Sequence, residues 1–321
     1  MRFSIVVPVF NSADYLDDCI ASVLRQHFQD WELVLIDDGS SDGSADILDR
    51  YAKSDMRIRV WHEKNAGQFF ARKKGILESH GEYLFFLDSD DELEPYALAR
   101  VDDVLSHGCW DLILFHGRAF VDGMPTGNPI GRMEWRAGEL PLDAIRKAVI
   151  SSDSLNSLCL KVFRRNLFSG DKTDYGCMRG IRHGEDKAML LYPLSLAKRC
   201  FYLPEELYRY RLNPLGVTRS VGLDSIESLL GNERFLLTAS AMEEWGMSDA
   251  RSQQALGTYY LRTYIMVYFK LRKGCSSADE LQALRRFPWD SALDHSYLKA
   301  RYIVNLGLRD MMRYLAARLR I

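Results

Sequence analysis

Phe3-Ser-Ile-Val-Val-Pro-Val-Phe-Asn11 is a short, β-branched, apolar run, and behind it Tyr15, Leu16, Cys19, Ile20, Val23 and Leu24 recur at helical spacing. The first piece suits a strand buried on both faces and the second suits a helix that covers it. Asn11 or Ser12 is the expected cap of that helix. The alternation continues through strands at Trp31–Ile36, Ile58–His62, Tyr83–Leu87 and Trp110–Phe115. Helices fall between them at Ala45–Tyr51, Ala66–Ser79 and about Pro95–Ser106. Such a succession predicts an α/β fold, a mainly parallel sheet flanked by helices. Gly117–Gly138, with its Gly, Pro and Arg, reads as a surface excursion. A mixed region follows, containing a helix at Glu185–Ala197 and strand-like pieces at Cys200–Leu203 and Leu207–Arg211. After Val221 the pattern is helical, at Ser225–Trp245, Asp249–Arg272, Ala278–Arg286 and Tyr297–Arg320. The expected division is an α/β domain over 1–220 and a helical C-terminal region over 221–321.

Composition narrows the classes. The 321 residues are 47% hydrophobic and 27% charged, which excludes disorder and leaves material for a sizeable core. A net charge of -2 gives no support to a nucleic-acid partner. No apolar run approaches the roughly 20 residues of a membrane helix. The opening run stops at Asn11 without a small-residue cleavage pattern and is not expected to be a signal peptide. Six cysteines without a CxxC pair argue against zinc and suit the reduced thiols of a cytoplasm.

In an open parallel sheet, ligands bind at the carboxyl ends of the strands. Here those ends are acidic: Asp37-Asp38-Gly39-Ser40-Ser41-Asp42 after one strand and Asp88-Ser89-Asp90-Asp91-Glu92 after another. On the extended segment expected here, Asp88 and Asp90 point the same way and can face one hard cation; the alternative is that they cap the next helix. Asp38 can accept the ring N–H of a pyrimidine, or be a turn residue. Asn65-Ala-Gly67 opens a helix with Asn65 as its cap, and Gly67 permits close backbone approach. Arg72 and Lys73 on that helix can reach a diphosphate or form a solvated face. Glu185 and Asp186 begin another helix, where an acid suits the macrodipole or serves as a general base. Arg209, Arg211 and Arg219 surround a Pro/Gly bend, as a phosphate-closing loop or as ordinary surface charge.

Together Val6-Val-Pro-Val-Phe-Asn11, Ile36-Asp-Asp-Gly-Ser-Ser-Asp-Gly43, Asn65-Ala-Gly67 through Arg72, Leu87-Asp-Ser-Asp-Asp91 and Gly184-Glu-Asp186 resemble the family-2 inverting glycosyltransferases of the nucleotide-sugar-dependent GT-A fold. The resemblance covers residues 1 to about 220. It implies a nucleotide-binding half over about 1–116 and an acceptor half over about 117–220. It also implies that Pro8, Val9, Asn11, Asn65 and Gly67 line the nucleotide pocket, that Asp38 binds uracil, and that Arg72 holds the nucleotide. Asp88 and Ser89 would contact the donor. Asp90, with Asp88, would ligate Mn²⁺ or Mg²⁺. Asp186 would be the base, with Glu185 orienting the acceptor, and Arg211 and Arg219 would touch the diphosphate. Lys73 stands where many members carry Asn. The absence of a QxxRW motif and of membrane helices points to transfer of one sugar to a glycan or lipid-linked acceptor rather than to processive synthesis.

Two other readings stay open: a sugar-phosphate nucleotidyltransferase, although Pro8–Tyr15 offers no Gly-rich phosphate loop, and a nucleotide-sugar-binding protein without transfer activity. The segment Ser296–Ile321 carries Lys299, Arg301, Arg309, Arg313, Arg318 and Arg320 against Asp310 alone, interleaved with apolar residues. It is expected either to pack on the domain or to lie on the inner face of an anionic membrane.

Overall fold

The computed structural model describes residues 1–179, 181, 183–213, 229, 230, 232–275, 277–287, 289, 295–303 and 305–319. Strands β1 (Phe3–Val9), β2 (Trp31–Asp37), β3 (Ile58–His62) and β4 (Tyr83–Phe86) alternate with helices α1 (Ala13–Leu24), α2 (Ser44–Ser54) and α3 (Gln68–Glu78). The four strands pair in parallel in the order β3-β2-β1-β4. Every residue of β1 and β2 is buried, which is why these strands read as continuous apolar runs rather than alternating ones. The α3 helix lies directly on β1. A Cβ placed on Gly75 would come 2.3 Å from Val6 Cγ1, so only glycine allows that approach.

Next come β5 (Glu92–Leu93), α4 (Ala97–Ser106), β6 (Leu112–Val121), β7 (Met124–Ile130), β8 (Gly138–Leu140), α5 (Leu142–Ser151), β9 (Lys161–Arg164), α6 (Glu185–Leu196) and β10 (Cys200–Arg211). β9 runs antiparallel between β4 and β6, and so joins the four-stranded parallel part to the parallel pair β6–β10. Much of the expected surface excursion is β-strand instead. β6 continues to Val121 and turns at Asp122 and Gly123, both left-handed, into the antiparallel β7. Pro125, Gly127 and Pro129 erase the alternation that would have marked β7. The two strand-like pieces after Ala197 are one strand, β10, whose register shifts around Pro204.

The C-terminal helices are α7 (Asn232–Glu244), α8 (Ala250–Gly274), α9 (Ala278–Arg286), α10 (Ala300–Ile303) and α11 (Leu308–Arg318). Asp249 caps α8 by accepting the N–H groups of Arg251 and Ser252, and a Ser277/Glu280 capping box starts α9. The continuous last helix expected from sequence is instead broken at Asn305–Gly307, where Gly307 restarts it as α11. Buried residues form one core around the sheet. A second core centres on Tyr260, Tyr264, Tyr268 and Trp289, which Ile150 of α5 joins. The seam near residue 220, and Arg219 with it, lie outside the described residues.

Candidate active site

Three loops meet at the carboxyl ends of β1, β2 and β4, stitched by their own polar groups. Asn11, left-handed at φ 49, donates its N–H to Ser40 Oγ (3.0 Å) and accepts the Ser41 N–H on Oδ1 (2.8 Å). Ser12 shares a 2.7 Å hydrogen bond with Ser89, which ties the β1 loop to the β4 loop. Gly39 must be glycine, because at φ +76 its Cβ would lie 2.9 Å from Asn65 N. Pro8 and Val9 are buried at the end of β1, and the Val9 carbonyl accepts the Asp38 N–H at 2.8 Å.

Asp38 is buried, and its two oxygens accept the N–H groups of Ala66 (2.8 Å) and Gly67 (2.9 Å). Burial pushes its carboxyl upward against those two bonds. Gly67, not Asn65, is the residue that caps α3; Asn65 lies in the loop that Asp38 holds. The neighbouring Asp37 is held the other way: although burial opposes it, bonds from His62 and Ser40 lower its carboxyl.

Asp88–Asp91 is a turn, closed by the Asp91 N–H on the Asp88 carbonyl at 3.0 Å. The expectation that Asp88 and Asp90 share a face because they lie on an extended strand is therefore corrected: β4 ends at Phe86. The turn is instead shaped by side chains. Tyr208 Oη accepts the Asp88 N–H (3.2 Å) and donates to Asp91 Oδ2 (2.6 Å). The Arg211 N–H donates to Asp91 Oδ1 at 2.7 Å. The Arg211 guanidinium binds the Asp90 carbonyl, Asp18 and Glu92, so in this arrangement it braces the turn. Burial, then the charge of Asp88, raises the Asp90 carboxyl; burial, then Asp90, raises Asp91 further.

Arg72 links this turn to α6. It is fully buried; Nη2 donates to Asp88 Oδ1 at 2.7 Å and Nη1 to Asp186 Oδ1 at 2.5 Å. Both Nη groups are thus taken by carboxylates, and sequence reasoning, which sent Arg72 to the nucleotide, did not foresee this clamp. Burial opposes its charge, but Asp186 and Asp88 together drive its pKa well up. Gln68 adds a 3.0 Å bond to Asp88 Oδ1. Asp186 receives the Leu158 N–H on Oδ2 at 3.3 Å. Its carboxyl is raised by burial, with Arg72 pulling the other way, while burial and the charge of Asp186 push Glu185 up to about 8. Two adjacent carboxyls are thus both raised, chiefly by burial, an arrangement suited to acid–base work.

Among the described residues no three His, Cys, Asp or Glu side chains surround a common point. A cation here would draw most of its ligands from substrate and water. Asp90 fits that use: it is a hard-oxygen donor raised by burial and like charge, and its described side-chain partner is Asn213, at 3.3 Å. Sequence reasoning did not single out Gln68, Tyr208 or Leu158, and it had Asp91 and Glu92 only as members of the acidic run, without their bonds to Tyr208, Arg209 and Arg211.

A sheet of this order with acidic loops at its carboxyl edge fits the GT-A fold that the sequence motifs imply. The chain belongs to glycosyl transferase family 2, whose model matches residues 4–172. Among its relatives, the uncharacterized glycosyltransferase EpsJ of Bacillus subtilis is 30% identical over 88% of this chain and 81% of its own. TuaG of the same organism, a glycosyltransferase assigned to teichuronic acid biosynthesis, is 31% identical over 65% of this chain and 78% of its own. Staphylococcus aureus TarS 1–349, solved in complex with UDP-GlcNAc, superposes with a TM-score of 0.71 at 20% identity, over 100% of this chain and 88% of that one. A mannosyltransferase from Pyrobaculum calidifontis, in complex with GDP-Man and Mn²⁺, gives 0.55 at 14% identity, over 99% and 86%.

Proposed function

We propose that this glycosyltransferase is an inverting, non-processive enzyme that moves one sugar from a UDP-sugar to a hydroxyl of a glycan or lipid-linked acceptor in surface-polysaccharide assembly, on the cytoplasmic side of the membrane. Residues 1–220 act as its catalytic domain and 221–321 as a helical appendage. One observation carries this reading: the Arg72 fork binds Asp88 of the acidic turn and Asp186 of α6 together. Two bonds from one planar guanidinium hold those carboxylates beside one another, so the donor-binding turn and the base share one site.

Asn11, Asn65 and Gly67 form the rim of the nucleotide pocket, with Pro8 and Val9 beneath it. Asp38 meets the uracil ring with lone pairs that its two backbone bonds leave open. Asp88 and Ser89 face the ribose and diphosphate, with Arg211 at the outer edge; the family resemblance gives Arg219, outside the described residues, a contact with the same diphosphate. Asp186 takes the proton of the acceptor hydroxyl while its oxygen attacks the anomeric carbon opposite the departing UDP. The configuration inverts and UDP carries away the bond's electron pair. A carboxylate whose proton affinity is raised is a stronger base for this task, a contribution of about 10²–10⁴-fold. Glu185, protonated to about 8, can donate a hydrogen bond to the acceptor. Mn²⁺ or Mg²⁺ held by Asp90, with Asp88 beside it, would neutralise charge on the leaving diphosphate. The UDP-GlcNAc and Mn²⁺ of the structural neighbours support the donor and metal assignments.

A peripheral membrane contact belongs to the same reading. Among the described residues no helix is long and apolar enough to cross a membrane. On α11, however, Leu308, Met312, Leu315 and Leu319 form an exposed stripe at helical spacing, beside exposed Arg309, Arg313 and Arg318. Tyr314 and Ala317 on the other face are buried in the second core.

UDP release from a panel of UDP-sugars tests the proposal. It predicts turnover with Mn²⁺ that EDTA abolishes and that Asp90→Ala reduces sharply. Undiminished turnover under both conditions would overturn the metal assignment, and turnover with no UDP-sugar would overturn the donor class.

A further inference from the structure

Lys161 opens β9, the antiparallel strand that joins the two parallel parts of the sheet, and its side chain is buried. Its ammonium donates to the Ser157 carbonyl at 2.5 Å, and among the described residues no carboxylate lies within ion-pair distance of it. Burial draws its pKa down to about 8, partly offset by Asp186, Cys159 and Cys200. A methionine would fill the same space without that cost, so the charge calls for a reason.

The reason lies in one peptide group. The carbonyl that Lys161 grips and the Leu158 N–H that donates to Asp186 Oδ2 are the two ends of the same amide. We infer that Lys161 is a positioning residue for sugar transfer: through the Ser157–Leu158 peptide it fixes the orientation of the Asp186 carboxylate. A cation on the carbonyl polarises the amide and strengthens the bond its N–H makes. It also stops the amide, at the start of the short 3₁₀ turn Leu158–Leu160, from swinging its N–H away. Arg72 holds the other oxygen, Oδ1. With the amide loosened, that single remaining grip would rotate the carboxylate toward Asp88 and away from the hydroxyl it must deprotonate. This inference rests on the reading of Asp186 as base, and the experiment separates the two.

UDP release from UDP-GlcNAc with Mn²⁺, water standing in as acceptor, is measured for the native protein, Lys161→Met, Lys161→Gln, Asp186→Asn and the Lys161→Met/Asp186→Asn double variant. A misplaced base predicts a kcat loss of about tenfold or more in Lys161→Met, with KM for UDP-GlcNAc within about twofold of native. Lys161→Gln, whose amide can still donate to the Ser157 carbonyl, recovers part of the loss and carries the test if the methionine variant does not fold. The double variant is no slower than Asp186→Asn alone, because Lys161 works through Asp186. Native kcat in both Lys161 variants, or losses that multiply in the double variant, would overturn the inference. An Asp186→Asn variant at the native rate would instead refute the base assignment.

Discussion

Replacing Arg72 by methionine removes a cation that Asp88 and Asp186 share. At an effective dielectric constant near 20, each pair, with charge centres about 4 Å apart, is worth about 4 kcal/mol before desolvation. Desolvating a wholly buried guanidinium cancels much of that sum, but deleting it leaves two half-buried carboxylates facing each other. Breaking such an arrangement costs about 3–5 kcal/mol. For a chain of this length that corresponds to a melting temperature lower by about 4–8 °C. The Asp186 carboxyl is raised by burial, so the difference shrinks as the pH falls and that group takes up its proton. Arg72→Lys, which has a point charge in place of a fork, can satisfy one carboxylate and recovers only part of the loss. Circular dichroism melts at pH 8 and pH 5 measure all three proteins. An Arg72→Met protein that melts within about 1 °C of native at pH 8 would refute the clamp.

Other sites give independent outcomes. Glu32, buried in β2, accepts bonds from Ser4, the His80 N–H and Arg59, which overcome burial and lower its carboxyl. Glu32→Gln should cost about 2–3 kcal/mol at pH 7 in denaturant unfolding. Since the folded pKa is the lower one, that stability is fully present above the unfolded value and is lost as pH falls through the folded one, so native and variant converge in acid. Gly75→Ala forces a methyl group into Val6 and should destabilise by about 1–3 kcal/mol in the same assay. Leu308→Ser/Met312→Ser/Leu315→Ser should abolish sedimentation with phosphatidylglycerol vesicles and leave UDP release unchanged; equal sedimentation of native and variant proteins would refute the membrane contact.

What was legible in the sequence follows from physics that acts locally. Strands buried on both faces announce themselves by composition, so β1, β2 and β4 and the acidic loops behind them could be placed from residue order. β9 could not: its four residues, Lys161–Arg164, are too few for a period and mix charge with apolar residues, yet it joins the two parts of the sheet. β7 was hidden by Pro125 and Pro129, and the break in the last helix by a single glycine. In the site, sequence reading could gather Asp38, Asp88, Asp90 and Asp186 as types, but not their partners. The Arg72 bridge to Asp186 spans 114 positions and the Tyr208 bond to Asp91 spans 117. Contacts made by the closed fold leave no local pattern to read.

The proposed mechanism needs Asp186 as the group that takes the acceptor's proton, beside a Glu185 that keeps its own. Single-turnover UDP release by Asp186→Asn and Glu185→Gln at pH 7, with UDP binding measured alongside, tests this most directly. A lost base predicts that Asp186→Asn falls by about 10²–10⁴-fold with UDP affinity intact, while Glu185→Gln, which mimics the protonated acid, stays within about threefold of native. A native rate in Asp186→Asn, or a collapse in Glu185→Gln with Asp186→Asn unaffected, would contradict it.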